Sequence, residues 1–235
     1  MNKTAYITGG SKGIGFGIAQ SMLEEGMKVA ITGRNEATLA EAAAALSKIG
    51  KGEILTIVSD VRNFEAEQKA IQKVIDMWGQ LDVVIANAGV GKFAPIDELS
   101  IEDWNQMIDI NLTGVFHSVK SSIPALKESK GYIITIASLA GTNFFKNGAG
   151  YNATKFGLVG FTQAMMLDLR SYGIKVSTIM PGSVSTYFNN RTPGDGDEWK
   201  IQIEDIGQLV VDLLKMHPRT LPSKIEVRPS IPPSA

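Results

Sequence analysis

The most constraining feature of this sequence is a regular alternation of short apolar runs with longer segments of helical periodicity. Several runs are near-continuous in Val, Ile and Ala, which is typical of strands that are covered on both faces. We predict strands at Thr4–Thr8, Lys28–Thr32, Ile54–Ser59, Asp82–Ala86, Tyr132–Ala137, Lys175–Met180 and Ile225–Arg228. Between them, the helical spacing predicts helices at Ile14–Glu25, Glu36–Ile49, Phe64–Met77, Ile101–Lys127, Tyr151–Ser171 and Glu204–Met216.

This alternation predicts an α/β fold of the doubly wound Rossmann type, with about seven parallel strands and helices on both faces. Strands joined through helices lie parallel, with right-handed crossovers. Asn35 and Ser100 stand where the second and fourth helices need N-caps, and Gly26, Gly50 and Gly173 stand at three helix ends. No linker or break in composition divides the 235 residues, so we expect one domain over residues 1–235.

Composition argues against several classes of function. The chain has no Cys, and His117 and His217 are far apart, so no metal site is expected. We expect His117, which lies in an apolar helical run, to be a core or interface residue. A net charge of −1 gives no electrostatic case for binding nucleic acid or a membrane surface. The apolar runs are too short to span a bilayer and the first strand leaves no room for a signal peptide, so a cytoplasmic location is expected.

Glycine and polar residues follow the predicted strands, at the edge where all the carboxyl ends meet. In doubly wound sheets, ligands bind outside that edge. The glycines after the first strand permit a tight turn and let backbone N–H groups approach a pyrophosphate at a helix N-terminus. We therefore expect a ligand site at this edge, where the strands are followed by Gly9, Gly10, Ser11, Lys12, Gly13, Ile14, Gly15, Gly33, Arg34, Asp60, Val61, Asn87, Ala88, Gly89, Ser138, Pro181 and Gly182. The residues expected to bind a dinucleotide are Gly9, Ser11, Lys12, Gly13, Ile14, Gly15, Arg34, Asp60, Val61, Asn87, Ala88, Gly89, Tyr151, Lys155, Pro181, Gly182, Val184 and Thr186.

The end of the second strand indicates which dinucleotide is bound. An acidic residue at this position grips the ribose 2′-OH of NAD, whereas this chain has Gly33 followed by Arg34, with Lys12 in the glycine-rich loop. Two cations without a carboxylate suit the 2′-phosphate of NADP, which Arg holds in a bidentate manner. We predict NADP, with NAD less favoured. The alternative is that both cations are solvated surface charges.

Tyr151 and Lys155 are four residues apart in a predicted helix, so their side chains share one helix face. The unperturbed pKa of a phenol is about 10, and a nearby cation favours the phenolate. The pair therefore predicts a tyrosine acid or base whose pKa is lowered by the lysine. Taken alone, the same spacing also arises by chance on helices.

In this order, the motifs resemble those of the short-chain dehydrogenase/reductase family, in its compact single-domain branch. The match runs from Thr8 to about Thr186 and rests on Thr8-Gly9-x-x-x-Gly13-x-Gly15, Asp60-Val61, Asn87-Ala88-Gly89, Asn111, Ser138, Tyr151-x-x-x-Lys155 and Pro181-Gly182-x-Val184-x-Thr186. The resemblance implies that Tyr151 is the general acid/base and that Ser138 hydrogen-bonds the substrate oxygen. It also implies that Lys155 holds the nicotinamide ribose, and that Asn111 bends its helix and seats a water linked to Lys155.

The resemblance further implies how the cofactor is held. Asp60 and Val61 would line the adenine pocket, Asn87 would brace the sheet, and the stretch from Pro181 to Thr186 would pass under the nicotinamide. A homo-oligomer, a tetramer or a dimer, is also implied, with the long fourth and fifth helices as the interface. Its candidate residues are Phe116, Phe156, Phe161 and Met165, which could equally belong to the core.

The expected function is an NADP(H)-dependent oxidoreductase that interconverts a carbonyl and an alcohol on a small-molecule substrate. A 3-oxoacyl thioester is one candidate substrate. The alternatives are a sepiapterin-like or other small-diketone reductase and, in a different class, a catalytically silent NADP-binding regulator. The chain departs from the family pattern at Ala86, in the short segment Tyr187–Asp197 and in the ending of the last strand. We expect Tyr187–Trp199 to be a short lid, with a simple exposed connector as the alternative.

Overall fold

A computed structural model describes residues 1–49 and 51–233, and its centre is one sheet of seven parallel strands. The strands are β1 (Thr4–Thr8), β2 (Lys28–Gly33), β3 (Ile54–Val58), β4 (Val83–Ala86), β5 (Tyr132–Ile136), β6 (Lys175–Pro181) and β7 (Lys224–Val227). Their order across the sheet is β3-β2-β1-β4-β5-β6-β7. The direction of winding reverses between β1 and β4, which is where doubly wound sheets open a crevice for ligands.

Seven α-helices connect the strands and cover both faces of the sheet in the described part of the chain. They are α1 (Gly13–Glu24), α2 (Glu36–Leu46), α3 (Phe64–Trp78), α4 (Ile101–Ile108), α5 (Gly114–Ser129), α6 (Ala149–Leu169) and α7 (Ile203–Lys215). The predicted single-domain Rossmann fold is confirmed.

The core has two halves because strand side chains point alternately to the two faces. On β1, Ala5 and Ile7 pack with the apolar sides of α1, α2 and α7. Tyr6 points the other way and packs with α3, α5 and α6. Met165, for which the sequence left an interface and the core open, belongs to this second half of the core.

The fourth predicted helix is wrong in detail, because Ile101–Lys127 is not one α-helix. It consists of α4, a π-helical turn at Asp109–Thr113, and α5. Inside that turn lies Asn111, whose amide bonds both the N–H and the C=O of Val90 at 2.8 Å. Such turns add one residue to the helical register and are frequent at functional sites. Apolar spacing alone does not reveal one added residue.

The helix caps are as predicted where the structure describes them. Asn35 and Ser100 accept hydrogen bonds from Thr38 N and Asp103 N, each at 3.0 Å. Gly50 lies outside the described residues. The last strand begins one residue earlier and ends one residue earlier than predicted, since its pairing with β6 runs from Lys224 to Val227. Within residues 1–49 and 51–233, no helix has the length and apolar character needed to cross a membrane.

Candidate active site

The glycine-rich loop after β1 makes a close turn that only glycines allow. Gly9 and Gly13 have φ angles of 66° and 58°, in the left-handed region. A Cβ on Gly10 would lie 2.6 Å from the Ile31 side chain, and one on Gly15 would lie 2.5 Å from the carbonyl oxygen of Gly9. The loop therefore packs closely against Ile31 of β2 and against its own backbone, and it leads directly into α1.

The N-terminus of α1 is suited to an anion. Lys12 is the N-cap residue, and in the described part of the chain its side chain makes no capping hydrogen bond. The first N–H groups of a helix have no partner inside the helix and carry a partial positive charge. The Lys12 side chain is exposed, with Nζ 5.8 Å from the centroid of the Tyr187 ring. Gly13, Ile14 and Gly15 thus present backbone donors where a pyrophosphate is expected.

Asn87 joins β4 to β1 beside this loop. Its side-chain nitrogen donates to the carbonyl oxygens of Thr8 and Gly9, at 2.9 and 3.1 Å. In return, the Thr8 hydroxyl accepts from the backbone N–H groups of Asn87 and Ala88, at 3.0 and 3.1 Å. Asn87 therefore braces the sheet, as expected. Thr8 also belongs to the site, although the sequence interpretation gave this residue no role.

Three charged residues meet at the carboxyl ends of β2 and β3. Arg62 Nε donates to both carboxylate oxygens of Asp60 at 3.0 Å, and Arg62 Nη2 adds a bond of 2.5 Å. This bonding to Arg62 lowers the pKa of the Asp60 carboxyl, and the positive charge of Arg34 acts in the same direction. Arg34 itself is exposed. Sequence reasoning missed Arg62, although a cation two residues after Asp60 was a visible signal.

The backbone at Val61 is held from α5. His117 Nδ1 lies 2.9 Å from the carbonyl oxygen of Val61, and the His117 ring packs at a tilt against Phe64, with centroids 5.6 Å apart. A Cβ on Gly114 would lie 2.7 Å from the Val61 side chain. His117 therefore supports the predicted adenine pocket.

A buried carboxylate lies beneath the same corner. Glu67 on α3 is fully buried and accepts hydrogen bonds from the hydroxyls of Ser59 and Ser118, both at 2.6 Å. The Tyr6 hydroxyl lies 3.0 and 3.1 Å from its two oxygens. This cluster joins β1, α3 and α5 to Ser59, which follows β3 and directly precedes Asp60. The sequence interpretation also missed it.

Tyr151, Lys155 and Ser138 meet at the carboxyl end of β5. Tyr151 and Lys155, both on α6, are 8% and 5% exposed, and Ser138 is half-buried. Lys155 Nζ donates to the carbonyl oxygen of Ile136 at 3.0 Å and lies 5.7 Å from the centroid of the Tyr151 ring. Asn111 reaches this cluster through Thr154, its Nδ2 donating to the Thr154 hydroxyl at 3.1 Å.

The pKa of Tyr151 moves in the direction opposite to the sequence prediction. Burial raises it to about 12, and hydrogen bonding to Ser138 acts against that rise. Burial also lowers the pKa of Lys155 to about 8. The prediction that Lys155 lowers the pKa of Tyr151 is wrong in this structure, because removal of both groups from water disfavours both charged forms.

The stretch after β6 closes the site over the glycine-rich loop. Gly182 N donates to Val227 O at 2.8 Å, and Val184 forms a bridge with Ile201. The Thr186 methyl would lie 3.5 Å from a Cβ on Gly13. Pro181 is the last residue of β6, and Gly182, Val184 and Thr186 continue from it toward the start of α1. Their contact with a nicotinamide stays a prediction.

Three phenylalanines from three loops surround Tyr151. The centroids of Phe93, Phe188 and Phe145 lie 5.4, 5.6 and 6.5 Å from that of the Tyr151 ring. Of these, Phe188 comes from the predicted lid segment. Sequence reasoning missed Phe93 and Phe145, because nothing local distinguishes them from other loop aromatics.

The segment after Phe188 is attached at its far end. The Ser185 hydroxyl donates to Asp197 Oδ2 at 2.9 Å, and Asp197 also forms an ion pair with Lys200. Motion of this segment on ligand binding stays a prediction.

No group of three or more metal-ligating side chains occurs within residues 1–49 and 51–233. What the site offers is a helix N-terminus, a buried phenol, a hydroxyl and a lysine.

Comparison with known proteins places this site in a family. The family described as short chain dehydrogenase matches residues 3–195. An uncharacterized oxidoreductase of Staphylococcus saprophyticus is 32% identical over 230 residues, which covers 97% of this chain and 98% of the relative. An alcohol dehydrogenase from the archaeon Thermococcus sibiricus, solved with 5-hydroxy-NADP, is 29% identical with a TM-score of 0.93, and the match covers 100% of both chains.

A second solved structure is similar over nearly the same length. An actinorhodin polyketide ketoreductase variant solved with NADPH is 27% identical with a TM-score of 0.86, covering 97% of this chain and 96% of the other. The match to the family, the relatives along almost the whole chain and the grouping of Tyr151, Lys155 and Ser138 agree. The chain belongs to the short-chain dehydrogenase family and is an oxidoreductase.

Proposed function

We propose that this protein is an NADP(H)-dependent carbonyl reductase acting on a small-molecule substrate. The observation that carries the proposal is the grouping of the buried Tyr151 and Lys155 with the half-buried Ser138, near the N-terminus of α1. A phenol, a hydroxyl and an anion-binding helix end are together what proton transfer to a carbonyl beside a dinucleotide requires.

The residues at the carboxyl edge fit a dinucleotide phosphate. Gly10 and Gly15 let the loop pack closely against Ile31 and the carbonyl oxygen of Gly9, and this tight turn leads into the N-terminus of α1, whose backbone N–H groups would bind the pyrophosphate. At the adenosine end, Arg34 and Lys12 supply exposed positive charge, while Arg62 already neutralises Asp60. With that carboxylate paired, the edge favours the 2′-phosphate of NADP over the bare ribose of NAD.

The chain's own groups supply the acid. When bound, the cofactor provides the hydride that reduces the carbonyl carbon. Tyr151, with a pKa raised to about 12, stays protonated at neutral pH and can donate its proton to the carbonyl oxygen. Ser138 can donate a hydrogen bond to the same oxygen as negative charge develops on it. A protonated phenol is the form needed for reduction.

Lys155 and Asn111 hold this arrangement. Family membership implies that Lys155 would bond the nicotinamide ribose, and its position on the α6 face that carries Tyr151 is compatible with that role. Asn111 fixes the backbone at Val90 and bonds Thr154, the residue before Lys155. The phenylalanines around Tyr151 exclude water from the acid, which strengthens its hydrogen bonds to a substrate.

The proposal is tested with Tyr151→Phe, which keeps the ring and removes the hydroxyl. Turnover, followed by NADPH absorbance on a panel that includes a 3-oxoacyl thioester and a small diketone, is expected to fall about 10²- to 10⁴-fold, the range for loss of a positioned acid. NADPH affinity is expected to remain. Tyr172→Phe is the matched control, because Tyr172 is 48% exposed, and it should retain turnover.

Equal turnover in Tyr151→Phe and the unaltered protein would refute the assigned acid. A protein that binds NADPH but reduces no carbonyl on the panel would favour the silent regulator.

Phe116 and Phe156, which are 47% and 37% exposed on α5 and α6, support the further proposal of a homo-oligomer through these helices.

A further inference from the structure

A multiply bonded ion pair lies at the corner where the adenosine of a dinucleotide is expected. Asp60 comes two residues after β3, and Arg62 folds back onto it. The Arg62 guanidinium donates to both carboxylate oxygens, as described above, and the backbone N–H of Arg62 donates to Asp60 Oδ1 at 3.0 Å. A single residue therefore engages both oxygens of Asp60.

Arg34 lies beside this pair, at the end of the neighbouring strand. Gly33 of β2 is opposite Val58 of β3, and Ser59 N donates to Gly33 O at 3.0 Å. The pKa of the Asp60 carboxyl is lowered most by its bonding to Arg62, and the charge of Arg34 adds to that effect. No ion pair within residues 1–49 and 51–233 includes Arg34. Because Arg62 holds the carboxylate, the Arg34 guanidinium is left for a ligand.

The charges at this corner balance only while Arg62 is present. Asp109, exposed at the start of the π-helical turn, brings a second negative charge near Arg62. Bonding to Asp60 raises the pKa of the Arg62 guanidinium most, and the charge of Asp109 acts in the same direction. Arg34 and Arg62 thus face Asp60 and Asp109, two positive charges against two negative ones. Without Arg62, one positive charge would face two negative ones.

Folding stability is a weak explanation for this pair. The side chains of Arg62 and Asp60 are 43% and 30% exposed, and exposed ion pairs add little to stability. The effect on an anionic ligand is larger, because a 2′-phosphate carries a charge of about −1.5 to −2 near neutral pH. An unpaired Asp60 would repel that phosphate and would compete with it for Arg34.

We propose that Arg62 determines cofactor specificity, because its pairing with Asp60 removes a repulsive carboxylate and leaves Arg34 to bind the 2′-phosphate. This inference rests on the proposed preference for NADP. Arg62 acts through Asp60 and is therefore a positioning residue that needs no contact of its own with the cofactor. NAD has a neutral hydroxyl in place of the 2′-phosphate, so its binding should hardly depend on Arg62.

The test measures equilibrium binding of NADPH and NADH by nicotinamide fluorescence, without a carbonyl substrate. The two cofactors differ only in the 2′-phosphate, so the ratio of their dissociation constants reports on this corner. Arg62→Leu is expected to lower the preference for NADPH about 3- to 10-fold, mainly by weakening NADPH binding. Arg62→Lys, which keeps the charge, should lower it less. Arg228→Leu removes a similar exposed pair with Glu226 after β7, and this matched control should leave the ratio unchanged.

The double variant Asp60→Asn/Arg62→Leu separates pairing from direct contact. Asn has no charge but keeps an oxygen that can accept from the backbone N–H at position 62, and any effect on the adenine pocket applies to both cofactors. The double variant should recover most of the preference for NADPH. No recovery would overturn the inference, because Arg62 would then bind the phosphate itself.

Two further outcomes of the same measurements would count against the inference. Equal losses of affinity for NADPH and NADH in Arg62→Leu would mean that Arg62 only shapes the pocket. A preference for NADPH that Arg62→Leu leaves intact would overturn the inference alone and leave the proposed cofactor standing. An unaltered protein that binds both cofactors equally would refute the proposed cofactor preference, and the inference would fall with it.

Discussion

Replacing Lys155 by Met should make the protein more stable near neutral pH while abolishing turnover. Met has nearly the same length and no charge. Burial lowers the pKa of Lys155 from its ordinary 10.5 to about 8. At about 1.4 kcal/mol for each pKa unit, keeping this ammonium charged inside the protein near pH 7 costs about 3 kcal/mol. The hydrogen bond from Nζ to Ile136 O, worth about 1 kcal/mol, is lost in the variant. A net gain of about 2 kcal/mol remains.

The pH dependence follows from the sign of the shift. The folded pKa of Lys155 lies below the unfolded value, so between about 8 and 10.5 the unfolded chain binds more protons than the folded one. The cost of the charge is therefore fully present below about pH 8 and disappears as the pH approaches 10.5. Between pH 7 and pH 9, the advantage of the Met variant should shrink by about 1 kcal/mol.

The assay is urea unfolding followed by tryptophan fluorescence near pH 7 and pH 9, at one protein concentration and one ionic strength. Lys69→Met, at an exposed position on α3, is the matched control and should leave the pH dependence of the free energy of unfolding unchanged. An advantage of the Lys155→Met variant that is the same at both pH values would refute the argument. So would a variant less stable than the unaltered protein near pH 7.

Two further predictions concern the adenosine end of the site and the cluster beneath it. Arg34→Ala should weaken NADPH binding by about 1.5–3 kcal/mol, the range for a hydrogen bond to a charged group, and should leave NADH binding nearly unchanged. The affinities of the variant for both cofactors test this, with Arg170→Ala as an exposed control. Equal losses of affinity for the two cofactors would mean that Arg34 only supports the loop. Glu67→Leu should lower the free energy of unfolding by about 3 kcal/mol or more, because buried hydroxyls that donate to Glu67 lose their acceptor. Urea unfolding measures this loss. Glu67→Gln, which keeps an acceptor, should lower the free energy of unfolding by less.

Local periodicity was enough to predict the architecture. Near-continuous apolar strands such as β4 are buried on both faces, and this property is visible in four consecutive residues of the sequence. The parallel order then brings every strand end to one edge, so Gly9, Asn87 and Ser138 could be assigned to one site without knowing any distance. The spacing of Tyr151 and Lys155 on one helix face is equally local.

The tertiary structure alone decided how those residues behave. Depth of burial, which depends on the packing of whole elements, sets the direction of the pKa shifts of Tyr151 and Lys155, and sequence spacing pointed the other way for Tyr151. The π-helical turn at Asn111 arises where one side chain meets Val90 on a distant loop. Phe93 and Phe145 come together around Tyr151 from separate connections. Helical and strand periodicity reports only which side of an element faces the core, whereas these contacts join loops whose paths are fixed by long-range packing.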